Sequence, residues 1–243
     1  MTDEDIVPTW MRRFLVSRYA VPGEQAPPRS KMRICRRCNE TLGRRYENDA
    51  RENLMPLLNG DPATLPPRQQ SAAGRWMIKT TMLGCFAGAL PDRWGYELCR
   101  TLLLSLRDTG GMPGYTSVRI AARDTRDDPP SGEADVTRFL PVNQMPRYAF
   151  FGINCIGGFV WEMVTGGTTD ILEYTSWTDA HADEFVRIWP PNRTEVAWPP
   201  GPPLSMAAVH AMREVFVAAQ KPGVPLSPPW RGSRAMHKER RGQ

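Results

Sequence analysis

Apolar residues recur at three- and four-residue steps along the first half of the chain and at every second residue along much of the second half. From about Asn39 to Leu58 the stripe is Leu42, Tyr46, Ala50, Leu54 and Leu57 or Leu58, the spacing that gives a helix one apolar face. Asn59-Gly60-Asp61-Pro62 stops it. A second helix is predicted from Pro66-Pro67 to about Leu90, with Ala72, Ala73, Trp76, Thr80, Leu83 and Ala87 as its buried face. Asp92 can cap a third, with the stripe Trp94, Leu98, Leu102 and Leu106, ended by Asp108-Thr109-Gly110-Gly111. Three helices joined by short connections should pack on one another. Ahead of them, Trp10, Met11 and Phe14 give a short apolar face behind Pro8, which is allowed in a first helical turn. Arg18–Ser30 reads as a loop, and Met32–Ile34 as a strand.

The period changes at Tyr115. Val118, Ile120 and Ala122 alternate with Ser117, Arg119 and Ala121, as a half-buried strand requires. Phe139–Val142, Tyr148–Asn154, Phe159–Val164 and Ile171–Tyr174 read as further strands, with Gly157-Gly158 and Gly166-Gly167 as turns. Phe159, Trp161 and Met163 share one face, and Val160, Glu162 and Val164 the other. No helix separates these strands, so the sheet is antiparallel. Asp124–Glu133 is a polar loop. Two similar fragments follow, R-I-W-P-P at Arg187–Pro191 and V-A-W-P-P at Val196–Pro200, each a strand-like triplet stopped by prolines. A last helix spans about Ser205 to Gln220. The expected class is α+β: an N-terminal hairpin and helix in residues 1–60, a helical layer in 61–110, an antiparallel sheet with a closing helix in 111–221, and a basic, disordered tail in 222–243.

Charge sharpens this division. Residues 1–60 hold eleven Lys and Arg against eight Asp and Glu, residues 231–243 five against one, and residues 61–230 fifteen against seventeen. Basic ends suit an anionic partner such as DNA or RNA. Arg outnumbers Lys by 27 to 4, a bias that a GC-rich genome also produces without selection for binding. No apolar run is long enough to span a bilayer and nothing at the N-terminus resembles a signal peptide, so a cytoplasmic protein with no membrane partner is expected. Five cysteines without a framework spacing argue against a disulfide scaffold.

The candidate chemistry gathers near the first helix. Cys35-Arg36-Arg37-Cys38-Asn39 sets two thiols on one tight turn at a helix start, half of a tetrahedral zinc site. Flanking arginines and a helix start also lower thiol pKa values, so a redox pair is the competing reading, and two ordinary thiols the plain one. Arg29, Lys31, Arg33, Arg36, Arg37, Arg44 and Arg45 surround the knuckle with Glu40 as the only acid among them. They form a candidate phosphate-binding surface, or a solvated face.

Together with Glu4-Asp5-Ile6-Val7-Pro8, this knuckle resembles the HNH endonuclease family, a treble-clef hairpin and helix around a metal. That family's signature is an acidic residue, His, a branched apolar residue, any residue and Pro, followed by Cys-x-x-Cys-Asn at a helix start. The resemblance covers the first quarter of the chain and is closest to bacterial HNH-like proteins in which a Trp follows the Pro by two, as Trp10 does. It implies that Glu4 and Asn39 hold a catalytic Mg²⁺ or Mn²⁺, that Asp5 stands at the general-base position, and that Cys35 and Cys38 bind a structural Zn²⁺. The departures are equally specific. Asp5 replaces His, and a carboxylate is a weak base at neutral pH; as a plain alternative, Asp5 caps a helix. The family's second Cys-x-x-Cys has no room ahead of Glu4. An in-frame one encoded upstream of Met1 would supply it, as would the knuckle of a second copy in a homodimer. The leading expectation is a nucleic-acid-associated protein derived from HNH nucleases, weakly active or inactive. Its alternatives are an active metal-dependent nuclease and a protein-interaction module with a structural or lost zinc. His181, His210 and His237 form no ligand spacing.

Overall fold

The computed structural model describes residues 2–19, 31–87, 93–112, 115–126, 138–145, 149–166 and 183–219. In chain order the elements are β1 (Thr2–Asp5), α1 (Thr9–Tyr19), β2 (Lys31–Ile34), α2 (Arg36–Asn39), a π-type segment (Glu40–Arg45), α3 (Tyr46–Asn59), β3 (Ala63–Leu65), α4 (Pro67–Ala87) and α5 (Arg93–Thr109), followed by β4 (Tyr115–Ala122), β5 (Arg138–Met145), β6 (Ala149–Ile156), β7 (Phe159–Gly166), β8 (Val186–Trp189), β9 (Val196–Trp198) and α6 (Met206–Ala219). The class is mixed α+β, with helices first, an antiparallel sheet later and a helix at the end. The predicted strand at Ile171–Tyr174, the tail, Arg29, His181 and His237, and most of the Asp124–Glu133 loop lie outside the described residues.

The helix α4 is the axis of the fold. It packs against α3 and α5, and against the sheet. The amphipathic pattern predicts one buried face, but every residue from Trp76 to Gly84 is buried. A helix enclosed between two helices and a sheet has no side left for solvent. The stripe predicted from Asn39 to Leu58 is buried as its spacing requires: Leu42 of the π-type segment and Tyr46, Ala50, Leu54, Leu57 and Leu58 of α3 all lie in the core. Gly60 ends α3 with a left-handed φ of 77°, its N–H donating to the Leu57 carbonyl, while Asp61 N–H donates to Pro56.

The five-stranded sheet has the order β5-β6-β7-β4-β8, antiparallel throughout. Val118, Ile120, Phe159, Trp161 and Met163 face the core that holds Trp76. Ala121, Ile153, Cys155, Val160 and Val164 form a second core with Val209 and Met212 of α6. The alternation along β4 and β7 thus separates two cores on opposite faces of one sheet. Trp76 and Trp161 meet at 5.8 Å between ring centroids, and Phe159 joins Trp161 to Trp198 at 5.6 Å each. Thr81 Oγ1 accepts from both Asn154 Nδ2 and Trp161 Nε1, tying the helix to the sheet through polar atoms. Burial pushes the Glu162 carboxyl up, and the Arg119 guanidinium beside it pulls against that rise.

The two W-P-P fragments go to different places. β8 is an edge of the five-stranded sheet, whereas β9 pairs antiparallel with β3. Both Trp-Pro bonds, Trp189-Pro190 and Trp198-Pro199, are cis. At the N-terminus β1 pairs antiparallel with β2, Glu4 opposite Met32, so a strand pair leads into the Cys35–Cys38 turn and its helix. The strand at Thr2–Asp5 has no alternating apolar signal of its own; its partner in β2 provides the pairing that its residues do not announce. Among the described residues no helix is long and apolar enough to cross a membrane.

Candidate functional site

The π-type segment between α2 and α3 carries Gly43, and glycine there lets the helix approach β1 closely. A Cβ at Gly43 would lie 3.1 Å from Asn39 Oδ1 and 3.4 Å from each carboxylate oxygen of Glu4. The wider turn of a π segment changes which residues share a face. Here Asn39 and Glu4, which the sequence separates by thirty-five positions, converge on one cleft. The cleft has a volume of about 400 Å³ and is lined by Glu4, Arg36, Asn39, Gly43, Glu47 and Asn48, among others.

Two of its lining residues, Glu4 and Glu47, are ion-paired to one lysine beneath it. Lys79 comes from the enclosed part of α4 and is fully buried, and its Nζ lies 2.5 Å from Glu4 Oε1 and 2.5 Å from Glu47 Oε1. The Glu4 side chain is 8% exposed and that of Glu47 21%, so the triad is dry underneath and open above. Two carboxyl groups thus share one amino group. Burial pushes the Glu47 carboxyl up from its ordinary value, Lys79 opposes that, and Glu4 and Asp5 add to it by repulsion. A buried ammonium between two carboxylates supplies the positive charge that a divalent cation would bring to the same oxygens.

Asp5 is half-buried and is held elsewhere. Its Oδ2 accepts from the Thr9 hydroxyl at 3.2 Å, at the start of α1. Cys35 caps α2: its Sγ accepts the Cys38 backbone N–H at 3.0 Å. The Cys38 thiol as a hydrogen-bond partner, and then that N–H, hold the Cys35 thiol below its ordinary range. Burial, together with the bond to Cys35, pushes Cys38 up. Cys38 Sγ also accepts from Arg107 Nη1 at 3.3 Å. Asp108 grips the same guanidinium with two bonds of 2.7 Å, and the pairing holds the Asp108 carboxyl below its ordinary value. Among the described residues no group of three or more His, Cys, Asp or Glu side chains is placed to hold a metal ion.

The basic cluster is present in part. Arg33, Arg36, Arg37 and Arg45 are exposed, with Arg37 4.0 Å from Asp108 and the Arg45 guanidinium over the Tyr46 ring at 5.8 Å. Arg29, and the side chains of Lys31 and Arg44, lie outside the described residues. The structure therefore brings Glu4, Asn39 and Arg36 to one cleft and sets Cys35 and Cys38 beside it. Sequence reasoning missed Glu47, Lys79 and Arg107. Lys79 had a signal: it is the only charged residue between Arg75 and Asp92, in the middle of a strongly apolar helix. Glu47 and Arg107 look like ordinary helix-surface charges, and nothing local distinguishes them. Compared with known proteins, the chain matches no family model, no curated protein and no solved structure.

Proposed function

We propose that the chain is a nucleic-acid-associated protein derived from the HNH endonucleases, with little or no nuclease activity of its own. The observation that carries this reading is Lys79, whose ammonium lies between Glu4 and Glu47. Metal-dependent hydrolysis needs carboxylate oxygens free for a cation that holds the scissile phosphate, and a base that takes a proton from water. At this cleft an internal ammonium engages the carboxylates, and the residue at the base position is a carboxylate bonded to Thr9. The exposed Arg33, Arg36, Arg37 and Arg45 provide a phosphate-binding surface beside it. Zinc on Cys35 and Cys38 belongs to the same ancestry and would need two further ligands.

The test is a binding titration on DNA and RNA at several salt concentrations. Affinity should fall steeply with salt, because each neutralised phosphate releases about 0.9 counterion on B-DNA. Changing Arg36 and Arg37 together to Ala should weaken binding and reduce that slope by about one to two. Salt-independent affinity, or no binding, removes the reading. The second reading, an active nuclease, is favoured by one feature: Glu4 and Asn39 line the same open cleft. Rapid plasmid cleavage with Mg²⁺ or Mn²⁺, abolished by Glu4→Gln, would establish it in place of the first.

A further inference from the structure

We propose that the cleft lined by Glu4, Asn39, Gly43 and Glu47 receives one guanine base of a single strand, read on its Watson–Crick edge by the two glutamates. The inference rests on the nucleic-acid reading above and adds what the cleft contributes to it. The cleft's volume of about 400 Å³ falls within the range of about 300–1,000 Å³ for small-ligand sites. Lys79 binds Oε1 of Glu4 and Oε1 of Glu47, and so holds the two carboxyl groups side by side. Their second oxygens, both Oε2, have no hydrogen-bond partner among the described residues. Glu4 is 6% exposed, so its open oxygen is offered to the cleft and to little else. Gly43 leaves that oxygen uncovered, since a Cβ there would lie 3.4 Å from Glu4 Oε2. An acceptor held in a nearly dry wall calls for a donor.

Charge selects what carries that donor. A phosphate inside the cleft would meet Glu4 and Glu47 at close range and be repelled. A basic peptide would meet the exposed Arg33, Arg36 and Arg37 beside it. A base on an anionic backbone satisfies both: its phosphates stay on the arginines and its uncharged ring enters. Guanine alone sets two nitrogen donors, N1–H and the N2 amino group, side by side on its Watson–Crick edge, and the two Oε2 acceptors match them. Adenine, cytosine and thymine each present one donating nitrogen there. That edge is occupied in a duplex, so the base must be unpaired. The Asn48 amide, also in the wall, can donate to guanine O6, and the Arg36 guanidinium can lie against the ring face.

The experiment measures binding of the full chain, with EDTA and separately with Mg²⁺, to oligothymidylates and oligouridylates. Each carries a single central guanine, adenine, cytosine, hypoxanthine or 7-deazaguanine. The guanine strand should bind about 5- to 140-fold more tightly than the adenine and cytosine strands, the range for one well-placed base contact. Hypoxanthine lacks only the N2 amino group and should lose most of that preference. The 7-deazaguanine strand keeps the edge and should match guanine. These arms need no altered protein. Glu47→Gln should bring guanine down towards adenine while the salt dependence stays, whereas a misfolded variant would lose affinity for every strand. Equal affinity for all strands overturns the proposal and leaves the nucleic-acid reading standing; no binding to any strand overturns both. The proposal falls equally if hypoxanthine matches guanine or if the preference appears only with Mg²⁺. It falls too if guanosine monophosphate competes at the concentration of the strand itself, which would make a free nucleotide the ligand.

Discussion

Replacing Lys79 with methionine keeps most of the side chain's volume and removes its charge, which leaves Glu4 and Glu47 facing each other without a cation. Removing one partner of a buried ion pair typically costs about 3–5 kcal/mol, so Lys79→Met should lower the midpoint of denaturant unfolding at neutral pH by an amount in that range. Added Mg²⁺ or Mn²⁺ should recover part of the loss if the oxygens can take a divalent ion, and calorimetric binding of the ion by the variant alone would show that it does. Glu47 carries a pH signature. Its folded carboxyl sits above its ordinary value of 4.5, because burial disfavours the anion. The folded state therefore binds this proton more tightly than the unfolded one. The associated stability is fully present below the unfolded value and is lost as pH rises through the folded one. The difference in stability between wild type and Glu47→Gln should thus rise as pH falls from neutral towards 4.5, and a flat difference in paired unfolding curves would refute it. Of these residues the sequence offered Glu4 and Asn39, because the short motifs that hold them resemble those of the HNH endonuclease family. It hid Glu47, whose partner lies thirty-two positions away on another helix.

At the scale of elements, what was legible was local. The α3 stripe and its stop at Gly60 follow from a period and a turn, and both are complete within a few residues. The alternation in β4 and β7 was legible for the same reason, although β4, expected to be half-buried, is covered on both faces, with Ala121 in the second core. β1 was not, since T-D-E-D carries no pattern and its register comes from β2. Nor was the full burial of Trp76–Gly84 in α4, which depends on three neighbours at once. Gln70 shows how these elements are fastened. Its Nε2 donates to the carbonyls of Leu65 and Thr194 at 2.8 Å each, and its Oε1 accepts the Asn192 N–H at 2.8 Å. Gln70→Leu removes both sides of that link while keeping the bulk. Of the three backbone groups only the Leu65 carbonyl belongs to a buried residue, and leaving it without a partner costs about 1–3 kcal/mol, so the loss should be of that order. Amide exchange should quicken at Asn192 and through β9, whereas the β6–β7 pair should keep its protection.

At the scale of the whole molecule, the larger of the two cores runs from Ile6 in the N-terminal segment to Trp198 in β9. The cleft consequently rests on a lysine from α4, outside the N-terminal sixty residues, and Arg36 sits in its wall. Gly201 marks another long-range closure: a Cβ there would run into the Asp183 carbonyl oxygen and lie 3.2 Å from Glu184 Cα. Because the obstacle is backbone, Gly201→Ala should destabilise by about 1–3 kcal/mol, read as a lower thermal midpoint. The pairing of β3 with β9 has a consequence in time. Ala63 and Trp198 are register partners, so during synthesis the first waits for some 135 further residues, or about 7–27 s at 5–20 residues per second, before the second exists. Until then the edge of β3 and the Trp76 side of α4 are exposed on the nascent chain. A ribosome-bound chain stalled before Val196 should accordingly be held by chaperones and cut readily by protease, and one stalled well beyond Trp198 should not.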